Sequence, residues 1–233
     1  MGRTASSRRW LEERHADPYI KLARAGGYRS RAAFKLKEIL ERDRILPVGS
    51  TVIDLGAAPG GWSQVAVQAV GRQGRVIAVD RDPMVPVPGV TILQGDLNEN
   101  ATIESIMNAL GARRADLLLC DMAPNLSGIA VTDQARAAAL AGTAMNCAEV
   151  ALRPGGDMLI KVFQGEDWEA VQRRLRSLFR QVLFRKPKAS RGRSAEGYAL
   201  CRSYAVRRAG LIPYSPGTAG IESGPPAFLL RRG

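Results

Sequence analysis

A glycine-rich turn between an apolar strand and a helix constrains this chain more than any other stretch. Residues 51–63 have the sequence TVIDLGAAPGGWS, which predicts a short buried strand at 51–55, a turn at 56–61 and a helix from about Trp62. Glycine lets a ligand approach the main chain closely, and a helix N-terminus after such a turn is typical of nucleotide-type pockets. The glycine spacing matches neither the dinucleotide fingerprint nor the P-loop. Asp54, just before the turn, favours a cationic ligand over a pyrophosphate, and a tight turn without a ligand is the alternative interpretation.

Strand and helix patterns alternate along the rest of the chain. Apolar runs predict strands at 74–80, 90–93, 115–120, 157–163, 181–184 and 198–206, and helical spacing predicts helices at 28–40, 62–70, 100–110, 134–152 and 168–179. Ser30 is a plausible N-cap of the first helix. The alternation predicts an α/β fold with a doubly wound sheet and a ligand at the carboxyl edge of its strands. We expect one domain at residues 28–208, a basic, poorly ordered arm at 1–27 and a disordered tail at 209–233.

Three charged side chains stand out at or near the ends of predicted strands. Asp80 ends the second strand, 24 residues after Gly56, where an acid takes ribose hydroxyls in nucleotide-binding α/β folds. A capping role before Pro83 is the alternative for Asp80. Asp121 follows the fourth strand and would face the same crevice. Lys161 lies inside an apolar run, where a lysine is costly unless it reaches a partner, so we interpret it as functional.

The net charge of +12 is divided unevenly along the chain. Residues 1–45 carry 12 basic and 6 acidic side chains, residues 46–170 carry 8 and 14, and residues 171–208 carry 12 and 1. Basic segments on either side of an acidic middle are typical of a protein that binds a polyanion, and they favour nucleic acid over charge that merely aids solubility.

Composition excludes several other classes of protein. No apolar run approaches the roughly 20 residues of a membrane span, and the arginine-rich N-terminus lacks the apolar centre of a secretory signal. The three cysteines form no CxxC and the single histidine has no partners, so we expect no metal site. A reducing cytoplasm is the simplest setting for three scattered thiols.

The motifs DLGAAPGGWS, DMAPN and SRAAFKL, a late KVF, and an RSAE beyond it together resemble the FtsJ/RrmJ-like ribose 2′-O-methyltransferases. The resemblance runs from about Tyr28 to Val206. The chain's compact length and near-absence of insertions are similar to the bacterial 23S rRNA uridine enzymes of that family. The chain departs from the family in its long N-terminal arm and in the tail past Arg208, which leaves the docking of the substrate open.

The resemblance implies a fold, a cofactor and a set of site residues. The fold is a Rossmann-like, S-adenosylmethionine-dependent methyltransferase fold with a seven-stranded, mostly parallel sheet whose last strand is antiparallel. The implied catalytic residues are Lys35, Asp121, Lys161 and Glu196. The implied contacts to S-adenosylmethionine are Gly60, Trp62, Asp80, Asp96 and Asp121. The implied reaction methylates the 2′-OH of a uridine in large-subunit rRNA, in the A-loop of the peptidyl transferase region during late ribosome assembly, by a monomeric enzyme that binds the subunit and no membrane.

The residue types are consistent with that chemistry. An acidic pocket suits a sulfonium, with Asp80 accepting from the ribose hydroxyls and Asp96 from the adenine amino group. A ribose hydroxyl is a weak nucleophile, so it needs a base or a strict orientation, and Lys161 is the candidate for either role. We expect the two basic segments, including Arg191 and Arg193, to bind phosphates, although Arg29, Arg31 and Lys37 also fit a solvated helix face.

Three other functions remain open at this stage. The same site would serve a 2′-O-methyltransferase of tRNA, of mRNA caps or of another RNA. A catalytically silent RNA-binding assembly factor could keep the fold, although all four catalytic positions are filled. A dinucleotide-dependent oxidoreductase is disfavoured by the glycine spacing and the acidic turn.

Overall fold

The computed structural model describes residues 17–125, 127–165, 167–190 and 196–205. These residues alternate helices and strands along the chain. The helices are α1 (Pro18–Ala25), α2 (Ala32–Asp43), α3 (Gly61–Val70), α4 (Asn100–Leu110), α5 (Ala130–Ala151) and α6 (Trp168–Leu178). The strands are β1 (Thr51–Leu55), β2 (Arg75–Asp80), β3 (Val90–Gln94), β4 (Ala115–Cys120), β5 (Leu152–Phe163), β6 (Phe179–Arg185) and β7 (Glu196–Tyr204).

The strands form one seven-stranded sheet in the order β3-β2-β1-β4-β5-β7-β6. The pairs among β1 to β5 are parallel, and β7 runs antiparallel between β5 and β6. The strand order reverses between β1 and β4, which is the switch point where α/β sheets bind ligands outside their carboxyl ends. The predicted seven-stranded, mostly parallel sheet with an antiparallel last strand is confirmed.

Two apolar layers cover the two faces of the sheet. One layer packs α4, α5 and α6 against the sheet through side chains such as Ile106, Met145 and Leu175. The other packs α2 and α3 through side chains such as Leu36 and Val65. The central strand β1 is buried along its whole length, as expected for a parallel strand covered on both faces.

The structure differs from the sequence-based expectations mainly at element boundaries. The part of the predicted arm that is described contains α1, because Asp17 caps its first turn by accepting a hydrogen bond from Tyr19 N at 3.0 Å and a proline begins the helix. Ser30 is not the cap of α2, since Arg31 occupies that position without a side-chain cap. Ser30 instead packs against Gly61, where a Cβ atom would overlap its hydroxyl.

Strands β5 and β7 also begin earlier in the chain than the sequence predicts. Helix α5 ends at Ala151 and β5 starts at Leu152 without a loop, and its register against β4 shifts between Leu152 and Asp157. The predicted turn at 153–156 is therefore an irregularity within a strand. Strand β7 spans Glu196–Tyr204, slightly before the predicted 198–206. Residues 1–16, the 209–233 tail, Arg191 and Arg193 lie outside the described ranges.

Candidate active site

A cavity of about 690 Å³ opens at the carboxyl ends of β1, β2 and β4. Its lining includes Gly56 from the glycine-rich turn and the three aspartates that sequence analysis assigned to the cofactor, Asp80, Asp96 and Asp121. Leu140 of α5 also lines the cavity. The structure therefore brings together acids from three separate strand ends, and α5 adds Arg136 and Thr143 as well as apolar side chains to the lining.

Backbone N–H groups hold the acids on the outer side of this cavity. The Asp80 carboxylate accepts from Ala58 N at 2.8 Å and from Asp82 N at 2.9 Å. The Asp96 carboxylate accepts from Asn98 N at 2.9 Å. An N–H group orients a carboxylate without cancelling its charge, and the exposed Arg81 guanidinium reaches the Asp96 carboxylate only at 3.9 Å, so the wall keeps a net negative charge.

The glycine-rich turn approaches the next loop closely at Gly56. Its φ of 69° is in the left-handed region, and a Cβ atom there would clash with Met122 in the loop after β4. Gly60 caps α3 with a φ of 107°, and a Cβ atom there would press on the Arg29 guanidinium and on Met84 and Val87. Both positions therefore require glycine for the conformation and for the space.

Gly60 and Trp62 are not among the residues that line the described cavity. The Trp62 indole is buried in the core, where it donates from Nε1 to Ala32 O at 2.8 Å and packs against Tyr198 with ring centroids 5.5 Å apart. The Trp62 side chain therefore does not line this cavity, and its main chain lies in the first turn of α3. The role predicted for Gly60 and Trp62 thus stays a prediction about backbone contacts.

Asp54 supports the turn from behind. Its side chain is fully buried and its Oδ2 accepts a hydrogen bond from the Ser63 hydroxyl at 2.7 Å. Burial, with smaller effects from Asp121 and Asp80, raises the pKa of Asp54 to about 7. The neutral acid is therefore a substantial form of this side chain near neutral pH.

A chain of hydrogen bonds lies beside the cavity and joins all four predicted catalytic residues. Lys161 Nζ lies 2.7 Å from Asp121 Oδ1 and donates to the Asp121 carbonyl oxygen at 2.8 Å. Lys35 Nζ donates to Glu196 Oε1 at 2.7 Å. The two ion pairs are joined through Tyr198, whose hydroxyl donates to Asp121 Oδ1 at 2.7 Å and accepts from Lys35 Nζ at 3.2 Å.

Four separate elements supply this network. Lys35 comes from α2, Asp121 from the end of β4, Lys161 from β5, and Glu196 and Tyr198 from β7. The antiparallel pairing of β5 and β7 sets Lys161 directly opposite Tyr198, so both side chains lie on the same face of the sheet. Asp121 belongs both to the network and to the cavity wall, and it therefore joins the two parts of the site.

Tyr198 is the site residue that sequence reasoning missed. Its side chain is fully buried, and burial together with the nearby Asp121 carboxylate raises the pKa of its phenol, which therefore stays protonated as a hydrogen-bond donor. The available signal was its spacing: residues two apart on a strand share a face, so Tyr198 had to lie beside Glu196.

Comparison with known proteins assigns this chain to a family. The FtsJ-like methyltransferase family matches the chain over residues 28–204. The chain belongs to the FtsJ-like methyltransferases. The "Ribosomal RNA large subunit methyltransferase E" of Alkalilimnicola ehrlichii is 52% identical over 204 residues, which are 88% of this chain and 98% of the relative. The protein of that name from Pseudomonas aeruginosa is 50% identical, over 88% of this chain and 99% of the relative.

A solved structure supports the same assignment. A ribosomal RNA methyltransferase of Plasmodium falciparum superposes with a TM-score of 0.70 at 26% identity, covering 76% of this chain and 98% of that chain. The predicted Rossmann-like methyltransferase fold and the identification as a methyltransferase are thus confirmed. Residues 28–204, which the family matches, include Asp121, Lys161 and Tyr198.

Two arginines of this FtsJ-like methyltransferase brace loops around the site. The Arg29 guanidinium donates to Pro59 O at 3.2 Å, Val85 O at 2.5 Å and Pro86 O at 2.6 Å, so it ties the glycine-rich turn to the loop after β2. Arg31 pairs with Asp17 and donates to Ala189 O. The sequence predicted only phosphate binding or exposure to solvent for these two arginines, and not these contacts.

The described part of this methyltransferase shows neither a membrane span nor a metal site. None of its helices combines the length and the apolar character that a membrane crossing requires. The same ranges hold no group of three or more His, Cys, Asp or Glu side chains placed to bind a metal ion.

Proposed function

We propose that this FtsJ-like methyltransferase transfers a methyl group from S-adenosylmethionine to the 2′-OH of a uridine in 23S rRNA, in the A-loop of the large subunit during late assembly. The observation that carries the proposal is the continuous Lys35–Tyr198–Asp121–Lys161 network, with Glu196 on Lys35, that borders the acidic cavity at Asp121. The names of the rRNA-methylating relatives support the choice of substrate.

The cavity fits S-adenosylmethionine in charge and in donor pattern. Bound there, the cofactor supplies an electrophilic methyl group on a cationic sulfonium, which an acidic wall favours. Each Asp80 oxygen accepts one backbone N–H and keeps a second lone pair for a ribose hydroxyl. Asp96 is placed on the same wall for an amino group, and the turn from Gly56 to the first turn of α3 offers backbone groups to the methionine part.

The network prepares the nucleophile. In the absence of RNA, Lys161 Nζ is held by the carboxylate and the carbonyl of Asp121, and its side chain is 7% exposed. A ribose hydroxyl that enters beside it meets a side chain whose position is already defined. We propose that Lys161, in its neutral amine form, accepts the hydroxyl proton, with the alternative that it stays a charged ammonium and only orients the oxygen.

Lys35 and Glu196 complete the pocket for the ribose. Their ion pair is 2.7 Å long, and the Lys35 side chain is 9% exposed, so the ammonium is largely removed from water. The Lys35 ammonium presents positive charge beside the reacting ribose, where the next phosphate of the RNA chain would lie. We propose that Glu196 positions Lys35 and accepts a hydrogen bond from the ribose.

Substrate transfer experiments test this function. Purified protein and cofactor with a labelled methyl group are incubated separately with large ribosomal subunits, free rRNA and tRNA, and the modified position is mapped. We expect label on the 2′-oxygen of one uridine of 23S rRNA. Label on tRNA with none on rRNA would show that tRNA, and not rRNA, is the substrate. Cofactor binding without transfer to any RNA would indicate a silent assembly factor. A monomeric state and a cytoplasmic location stay predictions.

A further inference from the structure

Two aromatic side chains form a surface at the sheet end next to the catalytic network. Phe184 of β6 is 39% exposed, and Trp168, the first residue of α6, is half-buried. Their ring centroids are 6.3 Å apart at an interplanar angle of 67°, an edge-to-face arrangement that fixes both rings. We call Trp168 and Phe184 the aromatic step.

The aromatic step lies one residue from two catalytic side chains. The Phe184 ring fills the space that a Cβ atom of Gly197 would occupy, and Gly197 follows Glu196 directly. Gly197 pairs with Val162, the neighbour of Lys161 on β5. Because side chains alternate along a strand, Lys161 and Glu196 serve one face of the sheet while Gly197 and the aromatic step serve the other.

Exposed cationic side chains lie close in the chain to both rings of the step. Lys186 and Lys188 come two and four residues after Phe184, and both are exposed. Arg173 is also exposed and has a long ion pair of 3.8 Å with Glu169, the only acid of α6. Positive charge next to an exposed aromatic ring is the combination that binds single-stranded nucleic acid, with phosphates on the cations and bases on the rings.

We propose that the aromatic step stacks the base of a nucleotide that flanks the methylated one, so that the RNA crosses between the two faces of the sheet where β5 ends and β7 begins. The inference rests on the proposed function only in taking RNA as the substrate. Stacking on an aromatic ring tolerates any base, so the step would hold the strand in place without selecting its sequence.

The test separates base stacking from phosphate attraction. Binding is measured by fluorescence anisotropy with a labelled 12-nucleotide oligouridylate and with a ribose-phosphate chain of the same length that lacks bases. For Phe184→Leu we expect affinity for oligouridylate to fall about tenfold and affinity for the baseless chain to stay unchanged, because leucine keeps the apolar contact and removes the ring. Phe184→Trp should retain the wild-type preference.

Controls and contrary results are defined by the same two probes. Val150→Ala removes an exposed apolar side chain near the end of α5, which leads directly into the first residue of β5 at the opposite end of that strand from Phe163, and should change neither affinity. Equal affinities of Phe184→Leu and wild type for oligouridylate would overturn the proposal, as would an equal loss for both probes. Failure of the wild type to methylate any RNA would instead count against the proposed function, whatever the probes show.

Discussion

The cavity that we propose for the cofactor and the network that we propose for catalysis share Asp121, but their acids have different partners. In the cavity, Asp80 and Asp96 accept from backbone N–H groups, and Asp96 has only a long ion pair of 3.9 Å with the exposed Arg81. In the network, Asp121 and Glu196 are each paired with a lysine at 2.7 Å. The cavity wall keeps a net negative charge, whereas the charges of the network balance one another in a cluster that is largely removed from water.

This difference separates binding from catalysis. The cavity wall holds Asp80, Asp82, Asp96 and Asp121 against Arg81 and Arg136, so it keeps a net negative charge that attracts a cationic ligand. A cluster of paired charges gives little attraction of its own, but it fixes the position of Lys161. Substitutions in the two regions should therefore change different measured quantities.

The largest expected effect is on turnover, from Lys161. Lys161→Ala should lower kcat roughly 1000-fold, because it removes the group that deprotonates or orients the hydroxyl. Cofactor affinity, measured by isothermal titration calorimetry, should stay close to wild type. Lys161→Arg distinguishes the two roles, since arginine orients but does not accept a proton; near-normal turnover in that variant would rule out the base.

In the cavity, the expected effect is on affinity. Asp80→Asn should weaken S-adenosylmethionine binding by roughly 10- to 100-fold, because it removes a charged acceptor. At saturating cofactor, kcat should change much less. Glu104→Gln, which removes an exposed charge from α4, is the matched control and should leave affinity unchanged. A similar loss in both variants would show that overall charge, and not the cavity wall, sets the affinity.

Tyr198 tests whether the two ion pairs work as one unit. Tyr198→Phe removes the hydroxyl that joins Asp121 to Lys35, and kcat should fall about tenfold with cofactor affinity unchanged. Tyr204→Phe, on the same strand, removes a hydroxyl that donates to Glu149 O at 3.4 Å and should retain wild-type turnover. Identical kcat values for the two variants would mean that Lys161 and Lys35 act independently.

The smallest effect should appear in stability rather than in activity. The pKa of Asp54 is raised to about 7, so between about pH 4 and pH 7 the folded protein binds a proton that the unfolded chain releases. The contribution of this group is fully present below pH 4 and is lost as the pH rises through 7. Asp54→Asn does not titrate there, so its Tm relative to wild type should rise by a few degrees between pH 5 and pH 8. A difference in Tm that is constant with pH would contradict the raised pKa.

Sequence patterns succeeded where one stretch of chain determines its own structure. The glycine-rich turn, the buried strands and Asp80 at a strand end follow from local apolar runs and from turn residues, and the structure has them close to the predicted positions. The exact start of β5 could not be predicted, because the residues at 153–156 form a turn or a strand irregularity depending on the neighbouring strand β4.

The arginines near α2 show the same limit. Arg29 and Arg31 belong to a basic segment, and their charge alone indicates a solvent or phosphate contact. Whether a guanidinium reaches Pro86 O or a phosphate depends on where the loop after β2 passes, which the sequence around Arg29 does not contain. Motif resemblance supplied Lys35, Asp121, Lys161 and Glu196, but not Tyr198 between them.

The sequence by itself determined the α/β alternation and the acids at the strand ends, because these depend on local periodicity, and its motifs supplied the four proposed catalytic residues through their resemblance to a family. Only the tertiary structure decided that Tyr198 joins the two ion pairs, that the Trp62 ring lies in the core and that the aromatic step stands beside Glu196. Those outcomes depend on the register of β7 between β5 and β6. A register of this kind is set by packing among distant segments, so no single segment encodes it.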